Sequence, residues 1–127
     1  MLPWTGDTET DGIESVLASQ GPEWQRLHEK YGAACVAGDF NVNLGGPHYY
    51  GSNASKAAVS AALEAAHLAP MTDYAHTPGR EYGLVDHIAI SADAADSASL
   101  AQVWGERTEH DEYLSDHSGV AIDIGDW

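Results

Sequence analysis

The chain has 127 residues, with 20 Asp and Glu against 5 Lys and Arg, a formal net charge of -15. One domain of this length can bury a sizeable core, and a surface this negative repels a phosphate backbone, which excludes tight duplex DNA binding at low salt in the absence of a basic cluster. No stretch approaches the roughly 20 apolar residues a membrane helix needs and no signal peptide opens the chain, so a soluble, cytoplasmic protein is expected.

Met1 to Trp4 reads as a strand fragment, followed by an acidic loop through Gly12. Gly21-Pro22-Glu23 then opens a helix, with proline at the tolerated first position and glutamate at the positive end of the dipole. Trp24, Leu27 and Tyr31 share one face of that helix, and Gly32 ends it. Cys35, Val36 and Ala37 form a strand whose lone thiol is expected to be buried, with no partner for an internal disulfide. Side chains alternate along a strand, so Asp39 and Asn41 are expected on one face, about 6.6–6.8 Å apart, with Phe40 anchoring the other.

Ser52 or Asn53 can cap a second helix that runs to about Leu68, where Pro70 forbids continuation. Its buried stripe is Val59, Ala62, Leu63 and Ala66. Leu84–Ser91 and Val120–Ile124 read as strands, the second alternating Val120, Ile122 and Ile124 against Ala121 and Asp123. Residues 92–112 read as an acidic loop interrupted by a short strand at Val103-Trp104. The pattern is mixed α/β, with polar residues collected at strand ends.

Three such strand ends carry candidate chemistry: Gly38-Asp39-Phe40-Asn41; Asp86-His87-Ile88 with Ser91; and Ser115-Asp116-His117-Ser118. Asp116 and His117 are adjacent, so they serve one site only if the backbone turns there. In this order and spacing the motifs resemble the second half of the endonuclease/exonuclease/phosphatase superfamily (the deoxyribonuclease I-like fold), over roughly Ala33 to Ile124. The resemblance implies the C-terminal half of a four-layer α/β sandwich, with a mixed, largely antiparallel sheet and helices on one face. Residues 1–127 would then form a single partial domain whose N-terminal half is absent.

The resemblance also implies roles. Asp39 would orient or deprotonate the attacking water and Asn41 would hold phosphate oxygens. Asp86 would fix the tautomer of His117, and His117 would stabilise charge on the pentacovalent phosphate. Asp116 and Asp39 would hold Mg²⁺ or Mn²⁺, bound weakly without the missing half. The implied activity is metal-dependent hydrolysis of a phosphoester by in-line water attack, as a phosphodiesterase, nuclease or phosphatase. The alternative is a non-catalytic fragment or interaction module that keeps the fold without the metal ligands of the other half.

Complete members draw an Asn and a Glu for the metal from the first half, and Leu2-Pro3-Trp4-Thr5 lacks the histidine many relatives carry there. Half of a two-sheet sandwich exposes an apolar sheet face. The chain is therefore expected to associate with a complementing N-terminal half or with itself as a homodimer, or to be unstable.

Several residues have competing readings. Asp39 and Asn41 also suit a simple turn. A calcium loop starting at Asp39 fails, because Leu44 stands where glycine is needed and Tyr50 where glutamate is needed. His87 is expected in packing or at the surface, and His110-Asp111-Glu112 in a solvated loop. His48, Tyr49 and Asn53, on the loop after the first motif, are candidate substrate contacts. Arg80 is the lone cation near the second motif and is expected to stay clear of phosphate. The high acidity also fits adaptation to high salt, where a Debye length of about 3 Å at 1 M screens self-repulsion.

Overall fold

A computed structural model describes residues 9–32, 34–77, 80, 82–105 and 115–125 of the chain. The expected strand at Met1–Trp4 and the His110-Asp111-Glu112 segment lie outside the described residues. In chain order the elements are helix α1 (Glu9–Tyr31), strand β1 (Cys35–Asp39), helix α2 (Asn53–Ala65) and strands β2 (Leu68–Pro70), β3 (Asp86–Ser91), β4 (Ala98–Trp104) and β5 (Gly119–Ile124). The first three strands form a sheet in the order β1-β3-β2, and β4 and β5 form a separate pair. The fold is mixed α/β, and every pairing among the described strands is antiparallel.

The central strand β3 divides two cores. His87, Ala89 and Ser91 face the helices. Ala89 packs there with Ile13, Leu17 and Trp24 of α1, Val59 and Leu63 of α2, and Phe40 from the end of β1. Ile88 and Ile90 face the other way, onto Met71, Ala94, Ile122 and Ile124. Both helices thus lie on one face of the three-stranded sheet, and β5 covers the other over β3. The first residues of β1 escape that cover. Cys35 pairs with Ile90 and Ala37 with Ile88, yet both Cys35 and Ala37 are exposed. The expectation of a buried thiol is therefore corrected: the apolar run around Cys35 faces helices only through Val36, which packs against the first core.

The first helix also departs from the sequence reading. It begins at Glu9 rather than Gly21, takes in residues 9–12 of the segment assigned to an acidic loop, and carries Pro22 in its interior. Pro22 removes one backbone donor and crowds the preceding turn, at about 3 kcal/mol in a helix interior. Burial of Ile13, Leu17 and Trp24 on one continuous stripe offsets that cost, because the 3.6-residue frame runs through the proline. Trp24 stacks on Phe40 with centroids 6.3 Å apart, while Tyr31, expected on the buried face, is 64% exposed.

Helix α2 starts as expected. Ser52 is the N-cap and its Oγ accepts the backbone N–H of Ser55 at 3.0 Å. Val59, Leu63 and Ala66 are buried, with Ala62 packed against them. The helix stops at Ala65, short of the expected Leu68, because His67 takes a left-handed conformation (φ 56°) and turns the chain into β2. Pro70 then sits in an edge strand, where its missing donor is tolerated.

Of the segment 92–112, the described residues 92–105 hold more structure than a loop. Ala92–Ser97 forms 3-10 turns and β4 spans seven residues, not only Val103-Trp104. Leu100 pairs with Ile122 and Val103 with Val120, three residues apart on one strand and two on the other. A bulge between Leu100 and Gln102 absorbs the extra residue and keeps both side chains on the inner face. That bulge breaks the period-two signal from which β4 could have been read. Trp104 lies across Gly119, where an added Cβ would come within 2.2 Å of the indole, so a side chain at the start of β5 would force that half-exposed ring aside.

Candidate active site

Asp39 and Asp86 are cross-strand partners at the end of the β1–β3 ladder. Two like charges directly opposite each other are unfavourable unless a cation lies between them. His117, arriving from the segment before β5, lies between them and is such a cation when protonated. Its Nδ1–H donates to Asp86 Oδ2 at 2.6 Å, and its Nε2 lies 3.9 Å from Asp39 Oδ2. The adjacent Asp116 and His117 reach one site because the backbone bends there: the His117 N–H donates to Ser115 Oγ at 3.1 Å. Asp116 Oδ1 is also 3.9 Å from Nε2, but the Asp116 side chain is 96% exposed.

The strand alternation expected for Asp39 and Asn41 does not extend to Asn41. Strand β1 ends at Asp39, Phe40 is buried, and Asn41 is left-handed at φ 55° with its N–H donating to Asp39 Oδ1 at 2.8 Å. The turn and the site are thus compatible uses of one carboxylate. Oδ1 closes the turn, and Oδ2 is the oxygen measured towards His117. A distance of 3.9 Å is too long for a direct hydrogen bond, and an oxygen atom placed between Nε2 and Oδ2 would reach both.

The hydrogen bond to Asp86 holds the His117 imidazole above its ordinary pKa of 6.5, opposed by partial desolvation and helped by the charges of Asp86, Asp39 and Asp116. Because the folded value is raised, the stabilisation from this pair is fully present below the unfolded value. It is lost as pH rises through the folded one. A ring-proton NMR titration in metal-free buffer is expected to place the His117 midpoint above 6.5 in the native chain and lower in Asp86→Asn. Equal midpoints in the two proteins would refute the coupling.

One oxygen or nitrogen from each of Asp39, Asp86 and His117 lies within 4.8 Å of the others, a separation that allows a shared metal ion. Asp116, expected as a metal ligand, is not part of that cluster, and its carboxylate is almost wholly exposed. With Nδ1 committed to Asp86, only Nε2 of His117 remains to face such an ion or a substrate.

Asp86, Asp116 and His117 line an open cavity of about 670 Å³ together with Tyr49, Arg80 and Tyr82. Of the loop candidates, Tyr49 therefore reaches the cavity. His48 and Asn53 are not among its lining residues: His48 Nδ1 is 2.9 Å from Lys56 Nζ, and Asn53 opens α2.

Asn43, which belongs to none of the three motifs, organises this region. It is 1% exposed, its Oδ1 accepts from the N–H groups of Tyr49 and Tyr50, and its Nδ2 donates to the carbonyls of Gly45 and Pro47. All four hydrogen bonds of the amide are thereby used. Asn43→Ala is expected to lower stability by about 2 kcal/mol, read from the urea midpoint at unchanged slope. A loss under about 0.5 kcal/mol would show that the loop holds without it.

The remaining motif residues are structural. His87 is 1% exposed, its Nε2–H donates to the Val42 carbonyl and its Nδ1 accepts from the Thr72 hydroxyl, both at 2.8 Å. Ser91 Oγ accepts the Ala34 N–H at 2.7 Å and ties the entry of β1 to β3. Arg80 departs from the expectation of an isolated cation. It lines the cavity, with Nη2 donating to Ser118 Oγ and Nε to the Tyr82 carbonyl, each at 3.3 Å. Arg80 and Tyr82 lie two residues apart, but Ser118 comes from 38 residues further along, and no spacing rule connects it to them. No family model, no curated protein and no solved structure matches this chain.

Proposed function

We propose that the chain carries part of the active site of a metal-dependent phosphoester hydrolase of the endonuclease/exonuclease/phosphatase type, as the C-terminal half of the four-layer sandwich. The observation that supports this most is the Asp86–His117 hydrogen bond of 2.6 Å, with Nε2 turned towards Asp39 at the edge of an open cavity. Phosphoryl transfer asks mainly for positioning and for charge stabilisation of the phosphoryl oxygens.

In this reading Asp86 fixes the imidazole and favours its cation, so that the Nε2–H is aimed at a phosphoryl oxygen as negative charge builds on it. Asp39 Oδ2 orients the attacking water and takes its proton as the new oxygen–phosphorus bond forms and the ester oxygen leaves on the far side. Arg80 adds a second positive charge to the cavity, and Asn41 holds a phosphate oxygen. Asp39 and Asp116 would hold Mg²⁺ or Mn²⁺, which when bound neutralises charge on the phosphoryl group.

The reading includes association with a complementing chain or a second copy. The exposed Cys35 and Ala37 on β1, an edge strand among the described residues, support it, since an open strand edge templates pairing with another chain.

The test is hydrolysis of bis(p-nitrophenyl) phosphate by the purified chain, with Mg²⁺ and with a chelator, at low and high salt and over a range of protein concentrations. Metal-dependent turnover is expected, with a rate per chain that rises with concentration if copies assemble the site. A folded sample without metal-dependent turnover overturns the enzyme reading and leaves the non-catalytic module.

A further inference from the structure

Tyr49 and Tyr82 sit at the cavity with their rings 4.8 Å apart and inclined by 33°. They are 44% and 54% exposed, so this aromatic pair is not filling a core. Their placement is nevertheless built. The Tyr49 N–H is bound to buried Asn43, and Gly83, next to Tyr82, packs so closely on the same residue that an added Cβ would lie 3.0 Å from Asn43 Cβ. The two segments that carry the rings are thus anchored on one fully hydrogen-bonded amide. Arg80 adjoins the pair, through its bond to the Tyr82 carbonyl, and lines the same cavity as His117.

We propose that Tyr49 and Tyr82 form a stacking platform for a planar aromatic ring carried by the phosphoester, which makes the substrate a small nucleoside or aryl phosphoester rather than an alkyl or lipid one. The proposal rests on the phosphoester reading of Asp86 and His117 and adds the class of group that flanks the phosphorus. Tyrosine faces offer a sequence-tolerant surface for a flat ring, and each stacked base commonly adds a preference of about 5- to 150-fold. The size follows from two further observations. A cavity of about 670 Å³ falls in the range of small-molecule sites, and a net charge of -15 disfavours a long polyanion.

The test is a set of NMR binding titrations of the full 127-residue chain in Mg²⁺ with adenosine 5′-monophosphate, phenyl phosphate, ribose 5-phosphate and inorganic phosphate. Adenosine 5′-monophosphate is expected to bind about 5- to 150-fold more tightly than ribose 5-phosphate. The preference is expected to vanish in the Tyr49→Leu/Tyr82→Leu double variant and to persist in the Tyr49→Phe/Tyr82→Phe one. Phenyl phosphate matching the nucleotide would assign the platform to any flat ring, and phenyl phosphate trailing it would assign it to a nucleobase. Equal binding of the nucleotide and the sugar phosphate, binding of none of the four, or a preference that survives the double leucine change would overturn the proposal. If the leucine variant fails to fold, the comparison in the native chain still decides. Turnover is not read in these titrations, so a catalytically silent chain that prefers the ring keeps the platform, and a hydrolytic chain without the preference loses only the platform.

Discussion

His117→Ala is expected to lower metal-dependent phosphodiester hydrolysis by about 10²- to 10⁴-fold, the range for removing a positioned acid or a donor to developing charge. Alanine removes both the donor facing the cavity and the imidazole that lies between Asp39 and Asp86. Asp86 acts through His117 in this mechanism, so Asp86→Asn is expected to cost less, about 10- to 100-fold. It should also shift the alkaline limb of the pH profile downwards, because the amide withdraws the charge that keeps the imidazole protonated. The double variant should be no slower than His117→Ala alone. Independent, multiplying losses would remove Asp86 from the role of positioning residue, and undiminished turnover in His117→Ala would remove His117 from the reaction.

The largest expected effect on stability lies one residue along β3. His87→Ala is expected to destabilise the fold by about 3–5 kcal/mol, since it opens a cavity behind Phe40 and strips partners from the Val42 carbonyl and the Thr72 hydroxyl. Thr72→Val should cost less, about 1–3 kcal/mol, as it leaves the ring in place but removes its donor. It offers a second measurement if the alanine variant does not fold. The Val42 carbonyl can only accept, so Nε2 carries a proton, and burial favours the neutral ring, in which Nδ1 is left to accept from the Thr72 hydroxyl. Burial pushes the His87 pKa below 6.5, against the smaller pull of the Val42 carbonyl and nearby carboxylates. A lowered base binds its proton more weakly in the folded state. Its contribution is therefore intact above the unfolded value and is lost as pH falls below it. His117 runs in the opposite direction, so the stability due to these two histidines peaks near pH 6.5 and declines on both sides. A chemical-denaturation series from pH 5 to 8 reads both limbs, and in His87→Ala the acid limb should flatten while the alkaline limb stays. A native acid limb identical to that of the variant would show that His87 does not titrate on unfolding.

The sequence by itself determined the mixed α/β class, the positions of β1, α2, β3 and β5, and the turn before β5 that lets Asp116 and His117 reach one place. These are local properties. Ser52 caps a helix through its own hydroxyl, β-branched residues alternate along β5, and a serine and a glycine around an Asp-His pair permit a bend. It also singled out Asp39, Asp86 and His117, which the fold brings within one cluster.

Only the tertiary structure decided what depends on partners far along the chain. Helix α1 continues through Pro22 because its apolar stripe has a sheet to bury against, and a penalty visible locally is outweighed by contacts that are not. Cys35 is exposed because β5 packs over β3 rather than β1. Strand β4 follows from pairing across a bulge, where alternation fails. The second motif splits into one residue at the site and two in the scaffold, because Asp86 lies at the end of the ladder while His87 and Ser91 point towards the helices. Arg80 and Tyr82 meet Tyr49 and Ser118 through loop closure, and the sequence distance between those segments carries no information about the space between them.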